Sequence, residues 1–303
     1  MAIRCIGFLG LLLFATSGAG AQGLDSVEIK TVAVAGKVHM LEGRGGNIGV
    51  TVGDDGLIMI DDQFAPLAPK IRKTLAELAA GKPRLKFVLN THWHSDHTGG
   101  NPEFGREATI IAHTNVRGRL IQPQEVFGRS VEALPPHGWP VITFDESVSL
   151  HFNGEEIKIT HVPNAHTDGD SIVHFTESNV LHTGDLFFNG MFPVVDLDHG
   201  GDVGNLAKHI GRLVETLPKD IKIIPGHGPL ASLDDLKTYQ RMLDESVAHV
   251  RRQLAAGKDL DEIKAAGMPD PWGSWGAGFI KTDKWLETVA SSLVRNNEAG
   301  ATP

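Results

Sequence analysis

The chain has very little cysteine: one residue among 303, and that residue is Cys5. A disulfide framework and a metal site made of thiolates are therefore both excluded. Tyrosine is equally scarce, since Tyr239 is the only one. Histidine, by contrast, occurs 15 times, so a metal site built from imidazole and carboxylate groups stays open.

Positive charge is also in short supply. The 28 Lys and Arg residues are outnumbered by 37 Asp and Glu residues, which gives a net charge of −9. Binding to a phosphate backbone requires an excess of basic residues, so we expect no nucleic-acid partner. The content of 41% hydrophobic and 21% charged residues is that of an ordinary globular protein and excludes a disordered chain.

No run of apolar residues approaches the roughly 20 that a membrane-spanning helix needs. The N-terminal run, residues 5–15, is short, follows Arg4 and precedes Ala-Gly-Ala at 19–21. This order is typical of a cleavable signal peptide, with an uncleaved membrane anchor as the alternative. We expect residues 1–21 to be that signal and the mature protein, 22–303, to be exported to the periplasm or secreted, without a membrane anchor.

Hydrophobic periodicity predicts strands alternating with helices. Strands are expected at 27–33, 36–41, 48–52, 57–60, 85–89, 157–161, 171–175, 180–181 and 221–224. Helices are expected at 68–80, 203–217 and 233–254. Residues 49–92 and 172–227 both follow the order strand, turn, strand, Asp, helix, strand, His, which indicates an internal duplication or two similar hairpins by chance. The pattern predicts a layered α/β sandwich in one domain.

Three imidazoles and a carboxylate follow the strand predicted at 85–89, within six residues: His92, His94, Asp96 and His97. A hydrophobic core does not tolerate this density of polar groups without partners. His92 and His94 are two residues apart on an extended chain, so both point to the same side and can bind one ion. Asp96 and His97 lie beyond a turn and face another ion.

Two further histidines and an aspartate occur in loops after predicted strands. His166 lies in Pro-Asn-Ala-His-Thr-Asp-Gly-Asp, and His227 lies between two glycines. Asp185 closes the second of the two similar hairpins. Strand ends are where α/β proteins place their sites, and the flanking glycines permit tight loops with the backbone close to an ion.

The H-x-H-x-D-H motif at 92–97, followed in order by His166, Asp185 and His227, resembles that of the metallo-β-lactamase-fold metallohydrolases. The resemblance covers nearly all of the mature chain and implies a four-layer αββα sandwich with a two-metal cleft at the sheet edges. It assigns one ion to His92, His94 and His166, the second ion to Asp96, His97 and His227, and both ions to Asp185 as a bridge.

The resemblance implies a hydrolase with two zinc ions, in which a metal-bridging hydroxide attacks the carbonyl of an amide, lactam, ester or thioester. The set of nitrogen and oxygen ligands also suits iron or manganese. Asp96 is expected to orient the hydroxide and move a proton. The alternatives are a mononuclear iron oxygenase similar to persulfide dioxygenases and a non-catalytic metal-binding protein. Asp61 ends the first hairpin as Asp185 ends the second, so we expect it to orient a ligand imidazole or to lie at the surface as a cap.

The substrate is less well determined by the sequence. The β-lactamases of this family that have a cysteine ligand carry it where Asp185 stands, together with a nearby lysine. The sequence Asp-Leu-Phe-Phe at 185–188 has neither, so β-lactams are one candidate substrate among several. Trp93 and the segment 187–202 are expected to form an apolar groove or to pack as a surface loop. The long loop 121–139 and three tryptophans near the C-terminus, Trp272, Trp275 and Trp285, either shape the entrance or form core.

Overall fold

The computed structural model describes residues 23–81, 84–126 and 128–300, with side chains as far as Asn296. The expected signal peptide, residues 1–21, lies outside these residues. Within them, no helix combines the length and the apolar character needed to cross a bilayer.

Two mixed β-sheets form the centre of the molecule. The first contains seven strands in the order β1-β2-β3-β4-β5-β6-β9. Its strands are β1 (Lys30–Ala35), β2 (Val38–Glu42), β3 (Ile48–Gly53), β4 (Gly56–Ile60), β5 (Leu85–Leu89), β6 (Thr109–His113) and β9 (Ile142–Phe144). A separate two-stranded hairpin, which lies between β6 and β9 in the chain, consists of β7 (Gln124–Val126) and β8 (Arg129–Val131).

The second sheet contains six strands in chain order. They are β10 (Ser147–Phe152), β11 (Glu155–His161), β12 (Ser171–Phe175), β13 (Val180–His182), β14 (Lys222–Ile224) and β15 (Ala231–Ser232). The helices are α1 (Ala68–Leu78), α2 (Ser95–Thr98), α3 (Asn101–Phe104), α4 (Thr114–Leu120), α5 (Val203–Thr216), α6 (Leu233–Ala255), α7 (Leu260–Ala266) and α8 (Thr282–Gly300).

The layers follow from strands that are buried on both faces. In β4, Ile58 and Ile60 pack against the second sheet, whereas Leu57 and Met59 pack against α1. Successive side chains of a strand point to opposite faces, so one continuous apolar run serves both interfaces. In the second sheet, α5, α6 and α8 cover the outer face. The order helix, sheet, sheet, helix confirms the expected αββα sandwich.

The two halves repeat one topology. The antiparallel hairpin β3–β4 continues through α1 into β5, which pairs in parallel with β4. The antiparallel hairpin β12–β13 continues through α5 into β14, which pairs in parallel with β13. This is the duplication expected from the sequence, and it places the ends of β5 and β14 in equivalent positions.

Some expectations about the elements were wrong. Strand β1 begins at Lys30 instead of residue 27, because residues 23–26 form a turn that is closed by a hydrogen bond from the Val27 N–H to the Leu24 carbonyl. The segment 121–139, expected to be a loop, contains β7 and β8, whose strands of three residues are too short to show a period of two. Of the two roles left open for the tryptophans near the C-terminus, the core role is confirmed for Trp272 and Trp285, which are buried in the helical layer.

We predict that Trp285→Ala lowers the free energy of unfolding by about 3–5 kcal/mol. The ring of Trp285 is fully buried, stacks on Phe192 at a centroid distance of 5.6 Å, and donates a hydrogen bond from Nε1 to Ser246 Oγ. Urea unfolding measures the loss. Val294→Ala on the same helix is the control, because Val294 is 44% exposed and such sites change stability by about 0.5 kcal/mol or less. Equal stabilities of the two variants would contradict the core assignment.

Candidate metal centre

The seven residues expected to bind metal all lie at one edge of the sandwich. His92, His94, Asp96 and His97 follow β5, and His166 lies between β11 and β12. The remaining two, Asp185 and His227, follow β13 and β14. Because β5 and β14 occupy equivalent positions in the two halves, the loops after them meet at this edge.

The first cluster contains His92, His94, His166 and Asp185, all buried, with one possible ligand atom each within 4.8 Å of the others. His94 Nδ1 lies 2.9 Å from His166 Nε2. The Oδ2 atom of Asp185 lies 3.8 Å from His92 Nε2 and 3.6 Å from His166 Nε2. Three imidazole nitrogens and one carboxylate oxygen therefore converge on one small volume.

The second cluster contains Asp96, His97 and His227. Asp96 Oδ2 lies 3.3 Å from His227 Nε2 and 3.7 Å from His97 Nε2. The other oxygen of Asp185, Oδ1, lies 3.0 Å from His97 Nε2 and 3.4 Å from His227 Nε2. The two oxygens of Asp185 thus face different clusters, which is the geometry of a bridging carboxylate.

These side chains fit a metal better than they fit one another. Among the described residues, the buried His92 Nε2 and Asp185 Oδ1 make no hydrogen bond, and a buried polar atom without a partner is costly. The other imidazole nitrogens that point into the clusters lie close to a second imidazole nitrogen or to a carboxylate oxygen. Divalent ions that prefer nitrogen and oxygen ligands would satisfy all of these atoms.

Two glycines make this convergence possible. A Cβ atom at Gly46 would overlap the imidazole of His97, and a Cβ atom at Gly226 would overlap Asp185 Oδ1. The loops that contain these glycines also bind each other, through the Asn47 N–H and the Gly226 carbonyl at 2.7 Å. The backbone can therefore approach both clusters closely only because these positions carry no side chain.

The side chains of the second cluster strongly affect one another's protonation. Burial raises the pKa of Asp96, but His97 and the hydrogen bond with His227 outweigh it and hold that pKa at about 2. Burial lowers the pKa of His227, yet Asp185 and Asp96 raise it to about 9. Burial dominates at His166 and lowers its pKa to about 4. Burial thus favours the neutral form of the His166 imidazole, which is the form that binds a metal.

A carboxylate orients His97, as expected from the position of Asp61. Asp61 Oδ2 accepts a hydrogen bond from His97 Nδ1 at 2.8 Å, which leaves Nε2 facing the cluster. The same carboxylate accepts hydrogen bonds from the backbone N–H and the hydroxyl of Thr91, both at 2.7 Å. Asp61 is fully buried, so the alternative role at the surface is wrong.

The partner of His94 could not be expected from the sequence. The Nε2 atom of His94 lies 2.9 Å from Asp196 Oδ2, and the same oxygen lies 2.8 Å from His199 Nδ1. Asp196 belongs to the segment 187–202, which was considered only as a groove or a loop. The nearby Asp198 has the same chemistry but is exposed, so the sequence offered two aspartates two residues apart and no means of choosing between them.

Two other ligand imidazoles are held by weaker acceptors. His166 Nδ1 lies 2.8 Å from the Val194 carbonyl, and His92 Nδ1 lies 3.1 Å from Thr91 Oγ1. The backbone N–H of His166 donates to Asp170 at 2.7 Å, which fixes its loop. Such partners set the tautomer and the orientation of each ring.

A cavity of about 760 Å³ opens beside both clusters. Its polar side includes His94, Asp96, Asp185 and His227, and the rest of its lining is Trp93, Ser95, Val126, Arg129, Val131, Phe188, Val194, Phe279 and Ile280. The segment 187–202 therefore contributes to an apolar wall, although Phe187 and Phe192 from the same segment are core. Near the C-terminus, Phe279 and Ile280 line the cavity in place of the tryptophans.

A family model matches the part of the chain that contains both clusters. Residues 41–237 match the model of the metallo-beta-lactamase superfamily. The chain belongs to this superfamily. The match includes every residue of both clusters.

Individual relatives in the superfamily are distant. Hydroxyacylglutathione hydrolase of Polaromonas sp. is 31% identical over 64% of this chain and 66% of its own length. Acyl-coenzyme A thioesterase MBLAC2 of Homo sapiens is 25% identical over 50% of this chain and 58% of its own length. Metallo-beta-lactamase from Pontibacter korlensis shares the fold with a TM-score of 0.58, at 17% identity over 72% of this chain and 99% of that one. The chain spans between 52% and 66% of the length of the first curated relatives it matches.

We predict that Asp196→Ala weakens zinc binding by about 10- to 100-fold. Without the carboxylate, His94 Nε2 loses its acceptor, so the ring loses both its fixed orientation and part of its basicity. Titration against a competing chelator measures the affinity. The control is Asp198→Ala, because the Asp198 side chain is 77% exposed and pairs with Arg295 at the surface. Equal affinities in the two variants would show that Asp196 does not support the metal centre.

Proposed function

We propose that the protein is a metal-dependent hydrolase that cleaves an ester, thioester, amide or lactam at a centre of two zinc ions. The observation that carries the proposal is the position of Asp185, whose two oxygens face two separate sets of imidazoles. An oxygenase with one iron needs three ligands and open positions. A mononuclear oxygenase does not require a second complete set of metal-binding side chains.

The ions would be held as the clusters indicate. His92, His94 and His166 would hold one, Asp96, His97 and His227 the other, and Asp185 both. Zinc bound in this manner lowers the pKa of a water ligand to about 7 and polarises a carbonyl group. Iron and manganese tolerate the same donors, so the choice of zinc is part of the proposal.

Asp96 is the residue of this chain that we assign to proton movement. Its carboxylate lines the cavity, and its side chain remains 28% exposed while the other ligands are nearly inaccessible. It is therefore both next to the metals and open to a substrate. A carboxylate in that position can accept the proton of the attacking water at one oxygen and pass it to the leaving group.

The relatives support an acyl substrate. One curated relative is named a hydrolase of hydroxyacylglutathione and another a thioesterase of acyl-coenzyme A. Neither glutathione nor coenzyme A is assigned to this chain, because the matches cover only part of those proteins. The apolar residues of the cavity wall, including Phe188 and Val194, suit the hydrocarbon part of an acyl group.

Metal analysis and a substrate panel test the proposal together. We expect about two zinc ions per chain, and turnover of at least one among ester, thioester, lactone, cephalosporin and carbapenem substrates. His94→Ala and His227→Ala should lower the metal content, whereas His151→Ala, outside both clusters, should not. One iron per chain with oxygen-dependent turnover of a persulfide would overturn the proposal, as would two zinc ions without any hydrolysis.

We further predict that Asp96→Asn lowers kcat by about 10²- to 10⁴-fold, with a smaller change in KM. The amide keeps the shape and one oxygen donor but can no longer accept the proton. Activity must be compared at saturating zinc with two ions bound, since lost metal would imitate lost chemistry. Asp54→Asn, in the exposed turn between β3 and β4, is the control. A kcat near the wild-type value in Asp96→Asn would show that Asp96 does not transfer the proton and acts only as a metal ligand.

A further inference from the structure

We propose that Arg129 binds an anionic group of the substrate, so that the enzyme prefers acyl compounds that carry a carboxylate or a similar oxyanion. This inference rests on the proposed function and specifies its substrate class. The β7–β8 hairpin presents Arg129 to the cavity, and apolar residues share the cavity lining with it.

The hairpin presents one of its faces to the cavity. Arg129 pairs directly with Val126 across the two strands, and Val131 pairs with Gln124. Residues paired across an antiparallel ladder share a face, and so do residues two apart on one strand. Val126, Arg129 and Val131 therefore belong to the same face, and all three line the cavity. The residues of the other face, Glu125 and Ser130, do not line it.

The hairpin is connected to the metal centre through packing. Val126 packs against the cluster formed by Trp93, Ala112, Val116 and Leu120. The ring of Trp93 is buried and lies 4.7 Å from the ring of His94. The face that carries Arg129 is thus positioned relative to a metal ligand by direct side-chain contacts, although the Arg129 side chain itself is exposed.

Among the described residues that line the cavity, Arg129 is the only Lys or Arg. Within the described part of the chain, no carboxylate oxygen lies within the 4.0 Å of an ion pair with it. Neighbouring arginines are already engaged, since Arg119 pairs with Asp168 and Arg117 lies over the ring of Trp139. A guanidinium group presents parallel N–H donors that match the two oxygens of a carboxylate. The unpaired cation therefore provides a site for an anionic group of a substrate bound at the metals.

The same cavity provides contacts for an apolar body. Phe279 is 66% exposed, and its ring lies 5.3 Å from the imidazole of His227. Ile280 and Phe188 also line the cavity. An exposed phenylalanine beside a metal ligand buries its surface only when an apolar group covers it. The combination fits an acyl chain with an acidic end better than it fits a neutral polar molecule.

The test compares three 4-nitrophenyl esters with acyl chains of six carbons on the zinc-loaded enzyme. One chain ends in a methyl group, one in a carboxylate and one in a phosphonate, so the two charged esters distinguish the kinds of oxyanion. We expect the wild type to favour at least one charged ester by about fivefold or more in kcat/KM, a modest factor because the guanidinium is exposed. Arg129→Gln should remove this preference, and Arg129→Lys should retain part of it.

The control is Arg106→Gln, which removes an exposed arginine outside the cavity and should leave all three rates unchanged. If the wild type does not prefer either charged ester, or if the preference survives in Arg129→Gln, the inference is wrong, while hydrolysis of the neutral ester would still support the proposed function.

If no ester is hydrolysed, the proposed function fails for esters. The role of Arg129 is then tested by measuring ligand affinity. Calorimetry would then compare dicarboxylic acids of four to eight carbons with monocarboxylic acids of equal length on the zinc-loaded protein. Tighter binding of a diacid that is lost in Arg129→Gln supports the anionic subsite. Equal affinities of diacids and monoacids at every length, or a difference that Arg129→Gln keeps, overturn it.

Discussion

The structure depends on keeping seven polar side chains together at the edge of two sheets, with the carboxylate of Asp185 at their centre. Five imidazoles and two carboxylates converge there, and most of them are nearly inaccessible to water. Such groups are stable only when each is paired or metal-bound. Asp185 faces both clusters, so its loss would leave two sets of imidazoles without a shared negative charge.

Three of the imidazoles are held so that only one nitrogen of each ring faces the clusters. Asp61, Asp196 and the Val194 carbonyl each accept a hydrogen bond from the outer nitrogen of one ligand. These acceptors come from different parts of the fold. Asp61 and Asp196 are buried, and the third acceptor is a backbone carbonyl. The geometry of the site is therefore a property of the packed sandwich and not of the motif at 92–97 alone.

The cluster residues and most of the apolar cavity lining come from different segments of the chain. The metal ligands follow strands of the two repeated halves, whose apolar layers fix the strand ends. The apolar part of the cavity, by contrast, is lined by the β7–β8 hairpin and residues 279–280, which lie outside the repeated units, and by Phe188 and Val194 in the connection between β13 and α5. Arg129 and Phe279 belong to this lining.

The sequence alone identified those parts of the site whose residues are close together in the chain or follow a recognisable pattern. The residues of the two clusters could be singled out because imidazoles and carboxylates are concentrated next to apolar strands. Asp61 could be singled out because one hairpin matches the other. The sandwich was predictable because buried strands and amphipathic helices have distinct periods. The hairpin β7–β8 was not, since its three-residue strands carry no clear period.

Only the tertiary structure decided which distant residues meet the site. Asp196 lies 102 residues from His94, and nothing local distinguishes it from the exposed Asp198. Arg129 and Phe279 line one cavity although 150 residues separate them. The tryptophans near the C-terminus looked equally suited to an entrance or a core, and packing against Phe192 and Ser246 placed Trp285 in the core. Contacts of this kind depend on how the layers pack, and packing is a property of the whole chain that a short window of sequence does not contain.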